Sequence, residues 1–490
     1  MAFRPLLYGG GDPQHEVMPS QQSSNHPTKE HQLPGQPGDP SAMKPAPALA
    51  LTAALLGFAL ITLDASVVNV ALPAVGSSLG GGMTGLQWVV DAYTLAFAAL
   101  MLSTGAFADR VGASRAYTLG ITVFTLASAA CGLAPNLATL IGARVVQGVA
   151  AAVVLPASLA LVRQAYADPA RRARAVAVWA AGGSVAVALG PVAGGALTTA
   201  WDWRGIFFVN LPLGAVALAL LVRAPRSRPR PAPLDLPGQM TAVVTLTALT
   251  FAVIEGGATG LAALAVAAVA GLLFLRIERR QPHPVVPLGL FRSRNISVAV
   301  AAGTACSVAF YGMVFVFSLF FQQVQGRSAL YAGLLFLPMS ALIGATNVAS
   351  GKLAGRYGPR LPMLIGQGVA LAGLLLLLTV GAGTPPALVA LLLVPMALGC
   401  ALTVPPLTAV MMEAVPAERA GLAAGVLNSA RQVGGGLGIA VFGALVSGGF
   451  VEGMRVSLGI GAALFAVTWL FSFRLAGPAS SWAGTPGGRT

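Results

Sequence analysis

Residues 48–72 read ALALTAALLGFALITLDASVVNVAL, 25 residues with a single charge at Asp64. At about 1.5 Å per residue, a helix of that length crosses the roughly 30 Å of hydrocarbon in a bilayer. The apolar residues are continuous rather than alternating, and lipid admits only structures that satisfy their own backbone, so the stretch reads as a helix. Similar runs recur at 86–106, 115–134, 137–162, 175–198, 205–222, 238–256, 258–275, 296–321, 329–350, 361–381, 386–410, 419–447 and 455–474. That makes fourteen spans and an all-α polytopic membrane protein. The thirteenth is the least apolar, because it carries Asn428, Arg431 and Gln432.

Composition agrees. The chain has 490 residues, 56% apolar and 9% charged, against about 25% charged in soluble domains. The net charge of +14 invites a nucleic-acid reading, but that needs bases gathered on a polar, water-exposed face. Here they sit in short clusters between apolar runs, as the positive-inside rule requires. With both termini cytoplasmic, 24 of the 29 bases fall on the inner side. Arg204, Arg327 and Arg455 fall outside, and Arg144 and Arg431 lie within spans. The expected partner is the lipid bilayer of a bacterial plasma membrane, not nucleic acid. Cys131, Cys306 and Cys400 are far apart in sequence and odd in number, so no disulfide is expected. Three of the four His lie before residue 32, no metal-ligand spacing occurs, and Gly351-Lys352 is followed by Leu353 rather than Ser or Thr. Metal chemistry, His-based catalysis and a P-loop ATPase therefore lack their residues, and no cofactor is expected.

A repeat divides the chain. Gly105-Ala-Phe-Ala-Asp109-Arg110-Val-Gly112 recurs as Gly351-Lys-Leu-Ala-Gly-Arg-Tyr-Gly358, each copy closing a span that ends inside. Paired halves of this kind build many secondary transporters, with the substrate site between them. The organisation that follows is a disordered cytoplasmic tail over 1–47, a six-helix half over 48–222, a linker region with two inserted helices over 223–294, a second six-helix half over 295–474, and a tail over 475–490.

The motifs resemble those of the major facilitator superfamily, specifically its fourteen-helix drug:proton antiporter branch. Leu63-Asp64-Ala-Ser-Val-Val-Asn69-Val-Ala-Leu-Pro73 is similar to that branch's first-helix signature, with Ser66 where Thr is usual. The loop repeat resembles G-x-L-A-D-R-x-G, with Phe107 for Leu and, in the second copy, Gly355 where the first has Asp109. Leu140-x-x-x-Arg144-x-x-Gln147-Gly148 resembles the fourth-helix motif, and Gly190-Pro191-x-x-Gly194-Gly195 the fifth-helix antiporter motif. Trp203-Arg204-x-x-Phe207-x-x-Asn210-x-Pro212-x-Gly214 again resembles the fourteen-helix branch. The resemblance implies two rocking halves, export of a small molecule, a proton gradient as energy source, and a latch at Gly105, Asp109, Arg110, Gly112 and Arg115.

The residues have readings of their own. Asp64 lies about 16 residues into a helix that starts inside, and Asp91 about 5 residues into one that starts outside, so the two carboxylates share a depth. Charge is costly there, which makes both candidates to carry a proton. The alternative is a hydrogen-bonded, helix-orienting group for Asp64 and a near-surface residue for Asp91. Arg144 keeps its proton, so it serves as counter-charge to a titrating carboxylate or as half of a structural ion pair. Asp109 is placed to accept backbone N–H bonds at the start of the third helix and to pair with Arg110 or Arg115. Gly190, Pro191, Gly194 and Gly195 give a flat, bendable face for close helix packing. Asn428, Arg431 and Gln432 line a substrate path or join helices. Glu255 reads as interfacial.

The function expected is exchange of a lipophilic or amphiphilic drug or antibiotic for protons by a monomer. A proton-coupled importer of a metabolite on the same fold is the alternative. A non-transporting membrane receptor or enzyme is a remote one, since no reactive cluster is visible.

Overall fold

A computed structural model describes residues 47–222, 235–282, 284, 286–415 and 420–474. The tails and the 223–234 stretch assigned above lie outside the described residues. The first seven helices are α1 (Pro47–Leu79), α2 (Gly82–Val111), α3 (Ala113–Gly132), α4 (Leu137–Ala165), α5 (Pro169–Ala200), α6 (Gly205–Phe208) and α7 (Asn210–Leu221). Then come α8 (Leu236–Glu255) and α9 (Gly257–Glu278). The last seven are α10 (Arg294–Leu319), α11 (Ala329–Leu335), α12 (Leu337–Tyr357), α13 (Arg360–Leu377), α14 (Pro386–Glu413), α15 (Ala420–Ser447) and α16 (Phe450–Ser472).

Among the described residues, each apolar run quoted above lies mainly on a helix or a consecutive helix pair. Among the described residues, eleven helices are long and apolar enough to cross a membrane, or twelve if the two bent pieces of α2 form one span. Of the other runs, α3 carries Arg115 in its first turn, and α6–α7 is short. The part of α15 from Leu422 on has the lowest mean hydropathy of the eleven, 1.2, as its polar residues predict.

Sequence chemistry punctuates these helices. Asn136 caps α4 by accepting the Thr139 N–H at 2.9 Å, and Asp168 caps α5 by accepting that of Arg171 at 2.7 Å. The closing glycines of the repeat are both left-handed, Gly112 at φ 96° and Gly358 at φ 80°. Gly112 alone joins α2 to α3, and Gly358 with Pro359 joins α12 to α13. A side chain at either position would be strained.

Helices α1–α7 pack mainly among themselves, as do α10–α16, and the α8–α9 pair docks through α8 onto α2 and α15. The two groups meet where α2 packs on α15, α5 on α11 and α12, and α1 on α10. At the end carrying the Gly80–Gly81 turn, one continuous apolar core includes Val67, Leu72 and Val89 of the first group and Phe317, Phe320 and Phe442 of the second. At the Gly112 end the core is split. Ala54, Tyr117 and Trp179 belong to a cluster of the first group, and Ile296, Met363 and Leu407 to one of the second.

Hydrogen bonds follow the same division. Gln87 donates to the Ala440 carbonyl at 2.7 Å, Ser318 to that of Asn69 at 2.8 Å, and Gln322 to that of Val70 at 3.0 Å. The Leu330 N–H donates to Thr199 Oγ1 at 3.3 Å. All four join the groups near the Gly80 end.

Candidate functional site

Asp64 is wholly buried near the middle of α1. Its Oδ2 pairs with Nη1 of Arg144, equally buried on α4. Its Oδ1 accepts from Asn210 Nδ2 of α7 at 2.9 Å and from Gln147 Nε2 at 3.3 Å. Ser128 of α3 ties the amides together, its Oγ lying 2.6 Å from Gln147 Nε2 and 3.1 Å from Asn210 Nδ2. Arg144 also donates through Nε to the Val89 carbonyl of α2 at 3.0 Å and lies 4.3 Å over the Tyr93 ring. Five helices therefore converge on one carboxylate. Arg144 Nη2 and Asn210 Oδ1 are left without partners in this otherwise closed network.

Asp91 differs. Gly80 and Gly81, both at positive φ, let α2 begin at Gly82, so Asp91 lies nine residues in, about 13 Å along the axis. It is fully buried rather than near the surface. Neither of its carboxylate oxygens has a hydrogen-bond partner. Arg144 reaches the backbone of Val89 on the same helix but pairs with Asp64, so the two carboxylates are divided by environment. Asp91 Oδ1 instead lies beside Gly436 of α15, across the boundary between the helix groups.

The α5 glycines do what a flat face permits. A Cβ on Gly190 would strike the Ser66 side chain, and one on Gly194 the Val67 carbonyl, both on α1 just past Asp64. A Cβ on Gly195 would strike the Ala329 carbonyl of α11, whose Gly333 in turn abuts the Pro191 carbonyl. Gly148 likewise admits the Tyr93 backbone against α4.

The loop motif departs from expectation. Asp109, Arg110 and Arg115 are all exposed, no ion pair joins them, and no side chain caps α3. The Gly112 turn fills the cap position, and an exposed pair gains little over water. Gly105 has open space about it. Of the α15 residues, Asn428 is exposed and Arg431 and Gln432 are half-buried. Glu255 is exposed and accepts the Trp88 indole N–H at 3.2 Å, pinning α8 to α2. The three cysteines are free and buried.

Between the helix groups lies a cavity of about 50 Å³, lined by Thr62, Ser66, Tyr93, Thr94, Tyr311 and Gln432 among others. A second of about 20 Å³ shares Ser66 and Tyr311 with it. No charged side chain among the described residues lines either.

Residues 54–439 match the Major Facilitator Superfamily. The chain belongs to that superfamily. Among proteins similar to this member is the multidrug resistance protein Stp of Mycobacterium tuberculosis strain CDC 1551, 42% identical over 412 residues that cover 81% of this chain and 76% of that one. The methylenomycin A resistance protein of Streptomyces coelicolor is 36% identical, over 81% and 85% of the two chains. The tetracenomycin C resistance and export protein of Streptomyces glaucescens is 30% identical, over 83% and 77%. Among solved structures, a D-xylose–proton symporter aligns with a TM-score of 0.66 at 15% identity, covering 87% of this chain and 97% of its own. An inward-facing bacterial homolog of the human lysosomal transporter Spinster aligns at 0.64 and 18%, covering 88% and 97%. Those likenesses establish the fold. This superfamily member is a multi-pass protein of a bacterial plasma membrane.

Three site residues were missed. Gln147 and Asn210 stand inside quoted motifs without a role, although an amide within an apolar run is itself a signal of a buried network. Ser128 gave none, because a helical serine is ordinarily satisfied by its own helix.

Proposed function

We propose that this protein exports a lipophilic or amphiphilic drug or antibiotic in exchange for protons. In this reading fourteen helices span the membrane as two six-helix halves, 48–222 and 295–474, with two helices inserted in the 223–294 region. The protein works as a monomer with both termini cytoplasmic. The Gly80 end is then extracellular and closed, and the Gly112 end faces the cytoplasm with its cores parted. Relatives named as resistance and export proteins support the direction of transport.

The observation that carries the proposal is the buried Asp64–Arg144 pair on the helix that also seals the extracellular end. Protonating Asp64 removes the charge that holds Arg144 and weakens the bonds from Asn210 and Gln147. Ser66, Val67 and Asn69 lie within five residues on α1, and they contact Gly190, Gly194 and Ser318. A small turn or slide of α1 on losing the pair therefore acts directly on the contacts that close that end. Asp91 is the second proton site, facing α15 of the other half: a carboxyl with no partner is cheaper to bury with its proton on. The Asp109 latch forms only when the halves close at the cytoplasmic end, which accounts for its exposed, unpaired state here.

Everted vesicles test the reading. The parent protein should accumulate drug on an imposed proton gradient and Asp64→Asn should not. Gradient-driven accumulation by Asp64→Asn at the parent rate would refute the assignment.

A further inference from the structure

The central cavity carries information about the charge of its cargo. Its walls bring aromatic faces from both halves, Tyr93 and Phe97 from α2 and Tyr311 from α10, with Gln432 from α15. It has no acidic wall. Asp64 is engaged by Arg144, Asp91 lies near Gly436, and neither is among the residues that line the cavity. A lipophilic cation would therefore find no free carboxylate in the lining to balance its charge.

A cation is available instead. One helical turn before Gly435, which packs against the Tyr311 ring, stands Arg431. Its side-chain stem lies over Gly303 of α10, where a Cβ would come within 3.3 Å of Cγ and 3.5 Å of Cδ. Tyr311 lines both cavities. The Nε of Arg431 is buried without a hydrogen-bond partner, and its guanidinium pairs with no carboxylate among the described residues. An arginine half-buried without a carboxylate partner among the described residues, on the helix that supplies Gln432 and Gly435 to the wall of this tyrosine-lined cavity though not itself in the lining, is complementary to an anion on an aromatic body.

We infer that the cargo is an aromatic amphiphile bearing an acidic group, a carboxylate or phenolate, and that Arg431 is its anchor. The inference rests on the exporter reading for the role of the cavity, and it sets charge preference apart from transport. The test uses three dansyl probes on one fluorophore, with the full chain in proteoliposomes: dansylglycine (anion), dansylglycinamide (neutral) and dansylcadaverine (cation). Without a gradient, dansylglycine should bind about tenfold more tightly than dansylcadaverine, the scale of a charge-assisted hydrogen bond. Arg431→Gln should abolish that preference and Arg431→Lys should keep most of it, both variants eluting as single species on gel filtration. Dansylglycine binding no more tightly than dansylcadaverine, or a preference that survives Arg431→Gln, overturns the inference. A proton gradient is then imposed on the same vesicles. Arg431-dependent dansylglycine binding without gradient-driven movement would leave the charge inference standing and sink the exporter reading.

Discussion

Replacing Arg144 by Gln leaves the Asp64 carboxyl wholly buried, with only Asn210 and Gln147 as partners. Removing one partner of a buried ion pair costs about 3–5 kcal/mol, because the other charge is left uncompensated. Unfolding entropy of about 2.1 cal/mol/K per residue, taken over the described helices, turns that into a fall in Tm of about 4–7 °C. Asp64→Asn should also lower Tm, by less, since Arg144 keeps the Val89 carbonyl at 3.0 Å, Gln147 Oε1 at 2.9 Å and the Tyr93 ring. The double variant, Asp64→Asn with Arg144→Gln, should recover part of the loss, because two neutral amides facing one another have no charge to desolvate. The buried thiols of Cys131, Cys306 and Cys400 supply the assay. A thiol-reactive fluorophore in detergent reports their exposure as the protein melts. Single variants melting within about 1 °C of the parent, or a double variant at the sum of the two, would refute the coupled network.

Other variants separate the remaining roles. Asp91→Asn removes no hydrogen bond, so its stability should stay within about 1 kcal/mol of the parent while the pH dependence of transport in everted vesicles flattens; an unchanged profile assigns Asp91 to structure. Asn210→Leu strips donors from Asp64 and Ser128 and should cost about 1–3 kcal/mol in the same melting assay. Gly190→Ala drives a Cβ into Ser66 and should cost about 1–3 kcal/mol. Gly105→Ala meets open space and should be neutral or slightly stabilising, and Gly112→Ala, at φ 96°, should cost about 1–2 kcal/mol. Equal melting temperatures for all three glycine variants would contradict the packing.

The helices were legible because burial in lipid leaves a long apolar signature that no neighbouring helix can disguise, though eleven or twelve rather than all fourteen runs are long and apolar enough, among the described residues, to cross a membrane. The repeat was legible because Gly112 and Gly358 answer to backbone geometry, a local property. Polar residues within spans also announced themselves, and Asp64 and Arg144 prove to be partners. Asp91 was misplaced in depth because two glycines shorten the turn before α2 by more than apolarity shows. Asp109 and its expected partners Arg110 and Arg115 are all exposed at the Gly112 end, where a pair gains little over water.

Composition and the apolar runs were enough to read the chain as helical and membrane-embedded, and to name the few charges lying where charge is expensive. Those are properties of composition and periodicity. It took the packing of the helices to show that Asp64 is held by α4 and α7 while Asp91 stands unpartnered against α15, and that Arg431 meets no carboxylate among the described residues. A carboxylate's chemistry is set by the groups within a few ångströms of it, and for Asp64 one of those groups, Asn210, lies 146 residues away along the chain.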